Sequence, residues 1–405
     1  MKILSSLNKL GLLPKVAIAI VLGICFSFFF PRWAVGIFVT INGIFGNFLS
    51  FTIPLIILGL VAPGIAELGK GAGRLLGITA LFAYVSTLLS GFFSFFTCDW
   101  IYPKILDNTA GVNELTATGA QVIEPFFTVA MPPMMDVTSS LLFAFVMGLG
   151  VAGLKEDNLR NVLMEFREVV VKLITAVIIP FLPIYIFGIF LKMGAEGQVA
   201  SVMSLFLKVI IVIFVMHVLL LLFQYAIAGS VVRKNPLKLL KNMLPAYATA
   251  LGTQSSAATI PVTLEQTKKN GVNPELAGFV IPLCATIHLA GSILKIVACA
   301  MAIMYMMGMP IGLGQYAGFI MMLGITMVAA PGVPGGAIMA ALGLLQSMLG
   351  FDETLQALMI ALYIAMDSFG TACNVTGDGA IALIIDRIHR RKKEHKAAPD
   401  IVPEG

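Results

Sequence analysis

Eight apolar runs, at residues 12–30, 36–62, 75–97, 138–154, 169–192, 201–232, 276–308 and 354–387, dictate what this chain can become. A helix needs about 20 apolar residues to cross a ~30 Å hydrocarbon core. Each run therefore reads as a transmembrane helix, and the longest ones imply tilt. Only 12% of the 405 residues are charged and 59% are hydrophobic, with mean hydropathy +0.96. Soluble domains carry about 25% charged residues. The expected class is an all-α polytopic membrane protein. A net charge of +5 is too small to suggest a nucleic-acid partner. The start, MKILSSLNKLGLLPK, has no A-x-A cleavage site and reads as a retained first segment. Cys25, Cys98, Cys284, Cys299 and Cys373 are scattered without metal-ligand spacing and read as core residues.

Basic residues mark one side of the membrane. They are Lys70 and Arg74, the stretch from Lys155 to Arg167, Arg233 to Lys241, Lys268 and Lys269, and the tail from Arg387. If these face the cytoplasm, both termini do too. The segment from Asp99 to Thr138, with Lys104 as its lysine, is then an external loop.

Two further apolar stretches, Tyr247–Thr263 and Ile311–Leu349, are interrupted in the middle by TQSSAATIP and AAPGVPGG. Hydrocarbon cannot satisfy the backbone groups that such a break exposes. Breaks survive only where they line a cavity or are buried in protein. Ordinary kinked helices are the simpler reading, but a PGVPGG tip is more than a kink. Two broken segments, each followed by a span, fit an inverted repeat with a binding site where the breaks meet.

The last run holds AMDSFGTACNVTGD, residues 365–378. Asp367, Thr371, Asn374 and Asp378 are spaced i, i+4, i+7 and i+11 and share one stripe of a helix, ~16 Å long. Such a stripe can be polar glue between helices. Two carboxylates at that depth point instead to a surface for cations and for a substrate amine. In the seventh run, CATIHLAGS places His288 beside Gly291, and Lys295 follows seven residues later on nearly the same face. Lys295 needs a partner, and Asp367 is the candidate. His217 reads as core.

These residues resemble the glutamate transporter superfamily, the dicarboxylate/amino acid:cation symporters. The resemblance rests on the serine-rich first hairpin, a broken seventh helix, G-V-P-G in a second hairpin and N-V-T-G-D in the last helix. It is specific over the last ~150 residues and otherwise follows hydropathy and loop pattern. It implies eight transmembrane helices plus two re-entrant helical hairpins, inverted repeats and an elevator-type transporter. It implies a homotrimer in a bacterial inner membrane. A scaffold would comprise residues 1–70 and 104–196. A transport domain would comprise 71–103 and 197–387, with hairpins near 246–270 and 311–349, and 388–405 would be a cytoplasmic tail.

The family pattern also implies roles, residue by residue. Asp367 matches the aspartate that holds a substrate amine, with Thr371 and Asn374 beside it. Ser255, Ser256 and Val333 match the hairpin tips that hold the substrate carboxylate, and Ser292 lies in the same region. Asn374 and Asp378, with the main chain near Cys284, match one sodium site. Thr286, with the main chain around Met327, Val328 and Ala330, matches a second. Tyr84 and Thr87 match parts of a third. Departures are as informative. The family's N-M-D-G-T reads His288-Leu289-Ala290-Gly291-Ser292 here, and Leu88 follows Thr87 where a serine is common. The third sodium site is therefore expected to be missing, and the first is altered. Both positions that carry an arginine for an acidic substrate side chain are different, Gly370 and Gln254.

The expected activity is cation-coupled symport of a neutral amino acid, with Asp367 pairing its ammonium and no cofactor beyond the coupling ion. Sodium is the first choice of ion. Protons are the alternative, with His288 as carrier. A dicarboxylate or acidic amino acid is the alternative substrate, read by Lys295. Neither an anion channel nor a membrane enzyme fits as well, because the paired breaks suggest a gated site and no nucleophile–base pair or metal cluster is evident.

Overall fold

The computed structural model of the chain describes residues 11–69, 74–106, 123–197, 199–328 and 330–397. Every regular element among them is helical. In chain order these are α1 (Leu12–Ser27), α2 (Arg32–Gly69), α3 (Arg74–Ile105), α4 (Val137–Ala152), α5 (Asn158–Leu173), a π turn (Ile174–Ile178) and α6 (Ile179–Ala195). There follow α7 (Val199–Val232), α8 (Pro236–Thr253), α9 (Ser256–Lys269), α10 (Pro274–Ile287) and α11 (Ala290–Met306). The chain ends in α12 (Leu313–Val328), α13 (Gly336–Leu349), α14 (Glu353–Ala365) and α15 (Asp367–Ala397).

One order occurs twice in the second half. A hairpin of two short helices, α8 with α9 or α12 with α13, is followed by a long helix broken near its middle, α10 into α11 or α14 into α15. Local sequence sets these boundaries. Asn235 and Asn273 accept from the first backbone N–H groups of α8 and α10, with proline next in each case. Asp352 does the same for Leu355 at the start of α14. Gln254, at φ 53°, turns the first hairpin, and Gly335, at φ 75°, turns the second. Glycine tolerates that left-handed conformation, and other side chains resist it.

The broken helix α10–α11 lies at the centre. The most apolar window of Pro274–Met306 is 100% buried, against 28% for Leu75–Ile105, which turns most of its apolar surface outward. Helix α3 is nevertheless fixed to α11 by a ladder of hydrogen bonds one turn apart. Ser90 donates to the Ala290 carbonyl at 2.7 Å, Ser94 to Leu294 at 2.7 Å, and Tyr102 to Ala298 at 3.0 Å. Around this centre α15 packs on α7, α8, α9, α10 and α11. Elsewhere α1 packs on α6, and α2 on α4, α5 and α6. The two sets meet where α13 crosses α2, and there Gly343 lies against Ile53.

Several expected boundaries are corrected. Helices α1 and α4 have 16 residues each, ~24 Å, so the first and fourth runs are shorter helices than their apolar stretches suggested. The first hairpin starts at Pro236, not near 246, because the basic residues Lys238 and Lys241 belong to its first helix. The basic stretch read as a loop from Lys155 to Arg167 is mostly the amphipathic start of α5, which runs on through the π turn into α6. Asp99 and Lys104 extend α3 and are not loop, and α15 carries the tail as helix to Ala397. The eighth run is not continuous but breaks at Met366. Cys25 is exposed on α1 and not core, whereas the other four cysteines are buried; all five are free thiols. Residues 1–10, Lys70, the 107–122 part of the expected external loop and residues 398–405 lie outside the described residues.

Candidate functional site

The break at Met366 places Asp367 at the first residue of α15, where the positive end of the helix dipole favours a carboxylate. Asp367 is 4% exposed. Its Oδ1 receives the Lys295 ammonium at 2.6 Å, and its Oδ2 accepts the Gly335 N–H at 2.8 Å. The same Lys295 Nζ lies 3.5 Å from the centre of the Tyr363 ring. An added Cβ at Gly370 would come within 2.8 Å of the Lys295 Nζ and Cε. The residue standing where the family carries an arginine is thus the one that makes room for a lysine from the neighbouring helix.

The two hairpin tips close over this carboxylate. Ser255 caps α9 through Ala258 and donates to the Gly332 carbonyl at 2.9 Å, joining one tip to the other. Gln254 does not point at Asp367 but donates to Ser368 at 2.9 Å. Ser256 is buried as the first residue of α9, and the Val333 carbonyl accepts from Gly336 at 2.9 Å in the second tip. Thr371 is buried one turn beyond Asp367.

Asn374 ties α15 to the break in α10–α11. Its Oδ1 accepts from the Gly291 N–H at 2.7 Å and the Ser292 N–H at 3.3 Å, while its Nδ2 donates to the Ser292 hydroxyl at 3.0 Å. His217 meets the Gly291 carbonyl at 3.0 Å and is buried. One turn further along α15, Asp378 Oδ1 faces His288 Nδ1 at 2.8 Å. An ionised carboxylate only accepts, so with Asp378 charged it is His288 Nδ1 that donates. The other ring nitrogen, Nε2, lies 3.0 Å from Ser86, which also receives Gln224 Nε2 at 3.2 Å.

Among the described residues, Asp378 Oδ2, Thr87 Oγ1, Gln224 Oε1 and Thr376 Oγ1 are buried without a hydrogen-bond partner. Buried polar oxygens are ordinarily satisfied. Asp378 Oδ2, whose sister oxygen faces His288 at the break, is chemically suited to a cation. The remaining ion-site candidates are more dispersed. Thr286 is exposed and turns its hydroxyl back to the Leu283 carbonyl at 2.7 Å. Cys284 is buried, and its carbonyl accepts from His288 N at 2.8 Å. Tyr84 and Val328 line a cavity of about 280 Å³, and the Met327 carbonyl accepts from Ala330 at 3.2 Å.

Sequence reasoning did not single out Ser86, Gln224, Tyr363, Ser368 or the Gly335 N–H. Tyr363 had a usable signal, since it lies four residues before Asp367 in the same run.

The pattern of the sodium:dicarboxylate symporter family matches residues 12–388. The chain belongs to this family. It is similar to the serine/threonine transporter SstT of Acinetobacter baumannii (strain AYE), 27% identical over 392 residues that cover 94% of this chain and 97% of the relative. SstT of Acinetobacter baylyi is 26% identical, covering 95% and 98%, and SstT of Enterococcus faecalis is 25% identical, covering 96% and 94%. Sodium:dicarboxylate symporters are transporters, not enzymes. Membership makes this chain a multi-pass membrane protein with a small-molecule substrate. Sodium is the coupling ion the family implies.

Proposed function

We propose that this chain is a secondary active transporter that couples the entry of a neutral amino acid to a cation and works by an elevator mechanism. The observation that carries the reading is Asp367, a buried carboxylate under closed hairpin tips with Gly370 and Gln254 in both arginine positions. Its relatives are named for serine and threonine, whose side chains are uncharged. Asp367 holds the substrate ammonium. Thr371, Asn374, Ser292 and the tips at Ser255, Ser256 and Val333 surround the rest. Sodium occupies the region of Asn374 and Asp378, and a second site near Thr286, Met327, Val328 and Ala330. Residues 71–103 and 197–387 form the moving part, and 1–70 and 104–196 the static scaffold of a homotrimer. The chain sits in a bacterial inner membrane with both termini in the cytoplasm.

Two observations favour second readings. Lys295 stands beside Asp367, so a dicarboxylate or acidic amino acid read by Lys295 is the alternative substrate. His288 stands between Asp378 and Ser86, so a proton carried by His288 is the alternative coupling ion.

The deciding experiment is uptake of labelled amino acids and dicarboxylates into liposomes carrying the purified protein, under an inward sodium gradient and separately under an inward proton gradient. Sodium-driven uptake of a neutral amino acid is the expected result. Asp367→Asn should lower it at least ~100-fold, because a buried ammonium that loses its carboxylate is strongly disfavoured. Dicarboxylate uptake that survives in Asp367→Asn would overturn the substrate assignment. Uptake driven by protons alone would transfer coupling to His288.

A further inference from the structure

Lys295 enters a place that the transport reading reserves for another group. Its ammonium is 0% exposed and sits 2.6 Å from Asp367 Oδ1, the oxygen left open once Oδ2 has accepted from Gly335. The seat is built for a lysine. Gly370 leaves out the Cβ that would strike Nζ and Cε, and the Tyr363 ring covers the ammonium at 3.5 Å. An ammonium on a side chain and an ammonium on a substrate make the same charge-assisted bond to a carboxylate. They cannot both occupy one oxygen at contact distance without strong repulsion.

We propose that Lys295 is a tethered substitute for the substrate ammonium, paired with Asp367 in the empty transporter and displaced by the substrate in the loaded one. This rests on the amino-acid reading above. A zwitterion can open the pair because it brings both charges. Its ammonium takes Oδ1, and its carboxylate lies toward the hairpin tips and the released lysine. The displaced ammonium keeps its contact with the face of Tyr363. Asp367 is then never left as a lone buried charge, whether the site is empty or full. The empty domain crosses the membrane with its carboxylate already neutralised, and no external cation has to fill the amine seat on the way back. A simple monocarboxylate or an amine carries only one of the two charges and opens the pair less well.

The test separates net transport from exchange. Liposomes with the full-length protein are given labelled serine, with the lumen either empty or preloaded with unlabelled serine. Net uptake needs the empty domain to return, and exchange does not. In Lys295→Met the ratio of net uptake to exchange should fall ~10-fold or more, since the empty domain now carries an unpaired aspartate. Lys295→Arg should recover much of the ratio. Gly370→Ala should lower it in the same direction by crowding Lys295 off its seat while leaving the lysine in place. Combined with Lys295→Met it should add little, because both variants remove one interaction. A ratio that stays at the wild-type value in both Lys295→Met and Gly370→Ala overturns the proposal. A wild type that neither takes up nor exchanges serine, threonine or alanine sinks the amino-acid reading, and this proposal with it.

Discussion

A lysine and a histidine of one broken helix face two carboxylates of another. Lys295 meets Asp367 at 2.6 Å and His288 meets Asp378 at 2.8 Å. The partners are seven residues apart on one side and eleven on the other. Gly291 lies between His288 and Lys295 in sequence, and its lack of a side chain is what lets the helices approach. An added Cβ there would sit 2.6 Å from the Gly370 carbonyl oxygen and 2.7 Å from the Cys373 Cβ. Both are in α15, and the carbonyl is backbone that cannot swing aside. Gly291→Ala should therefore cost about 1–3 kcal/mol of stability and loosen both the Lys295–Asp367 and His288–Asp378 contacts. Thermal unfolding of the detergent-solubilised protein measures the first, and loss of uptake the second.

The partners at this scale are partly legible from sequence, and the reasons differ by residue. Asp367 and Lys295 stood out because a charge in an apolar run demands a partner, and helical spacing put both on facing stripes. Ser86 and Gln224 did not. A single hydroxyl or amide in an apolar helix is common, and only the packing of spans 138 residues apart makes these two meet. Gln254 stands where the resemblance places an arginine, and its side chain turns to Ser368, with the left-handed backbone at the tip re-aiming it.

At the scale of elements, the hydroxyl ladder between α3 and α11 is the clearest piece of design. Ser90, Ser94 and Tyr102 are spaced four and eight residues apart, so they fall on one face of α3. Each donates to a carbonyl of α11 that already serves its own helix, so the gain per bond is modest, about 0.5–1.5 kcal/mol. Ser90→Ala combined with Ser94→Ala should lower stability by roughly 1–3 kcal/mol, additively if the two sites are independent. Unfolding of the single and double variants checks this. The elements themselves were well marked by apolar runs, proline at helix starts and the PGVPGG tip. Misread boundaries share one cause. Charges at Lys155–Arg167 and at Lys238 and Lys241 read as loop signals in the sequence, whereas most of them lie on helices α5 and α8. The break at Met366 had no glycine or proline to announce it.

For the whole molecule, the proposed elevator requires α13 to move along α2. The contact is close. An added Cβ at Gly343 would come within 2.7 Å of the Ile53 side chain and 3.2 Å of Val137. In a cysteine-free background, Ile53→Cys with Gly343→Cys should form an oxidative cross-link that stops uptake and is relieved by reductant. Continued uptake with the cross-link complete would rule out sliding at this seam. The fold as a whole was legible because a membrane permits few architectures for broken apolar helices. The direction and extent of motion were not, since one arrangement of atoms carries no second position.

The ladder also says what α3 brings with it. Its opposite side presents Leu81, Val85, Leu89, Phe96 and Trp100 outward. If the proposed elevator carries that centre across the membrane, a helix bolted to it by three hydroxyls travels too, and this greasy flank ploughs through acyl chains on every stroke. The surrounding lipid is then a working part of the machine, and a bilayer's depth and stiffness help decide at which end of its travel the carrier comes to rest.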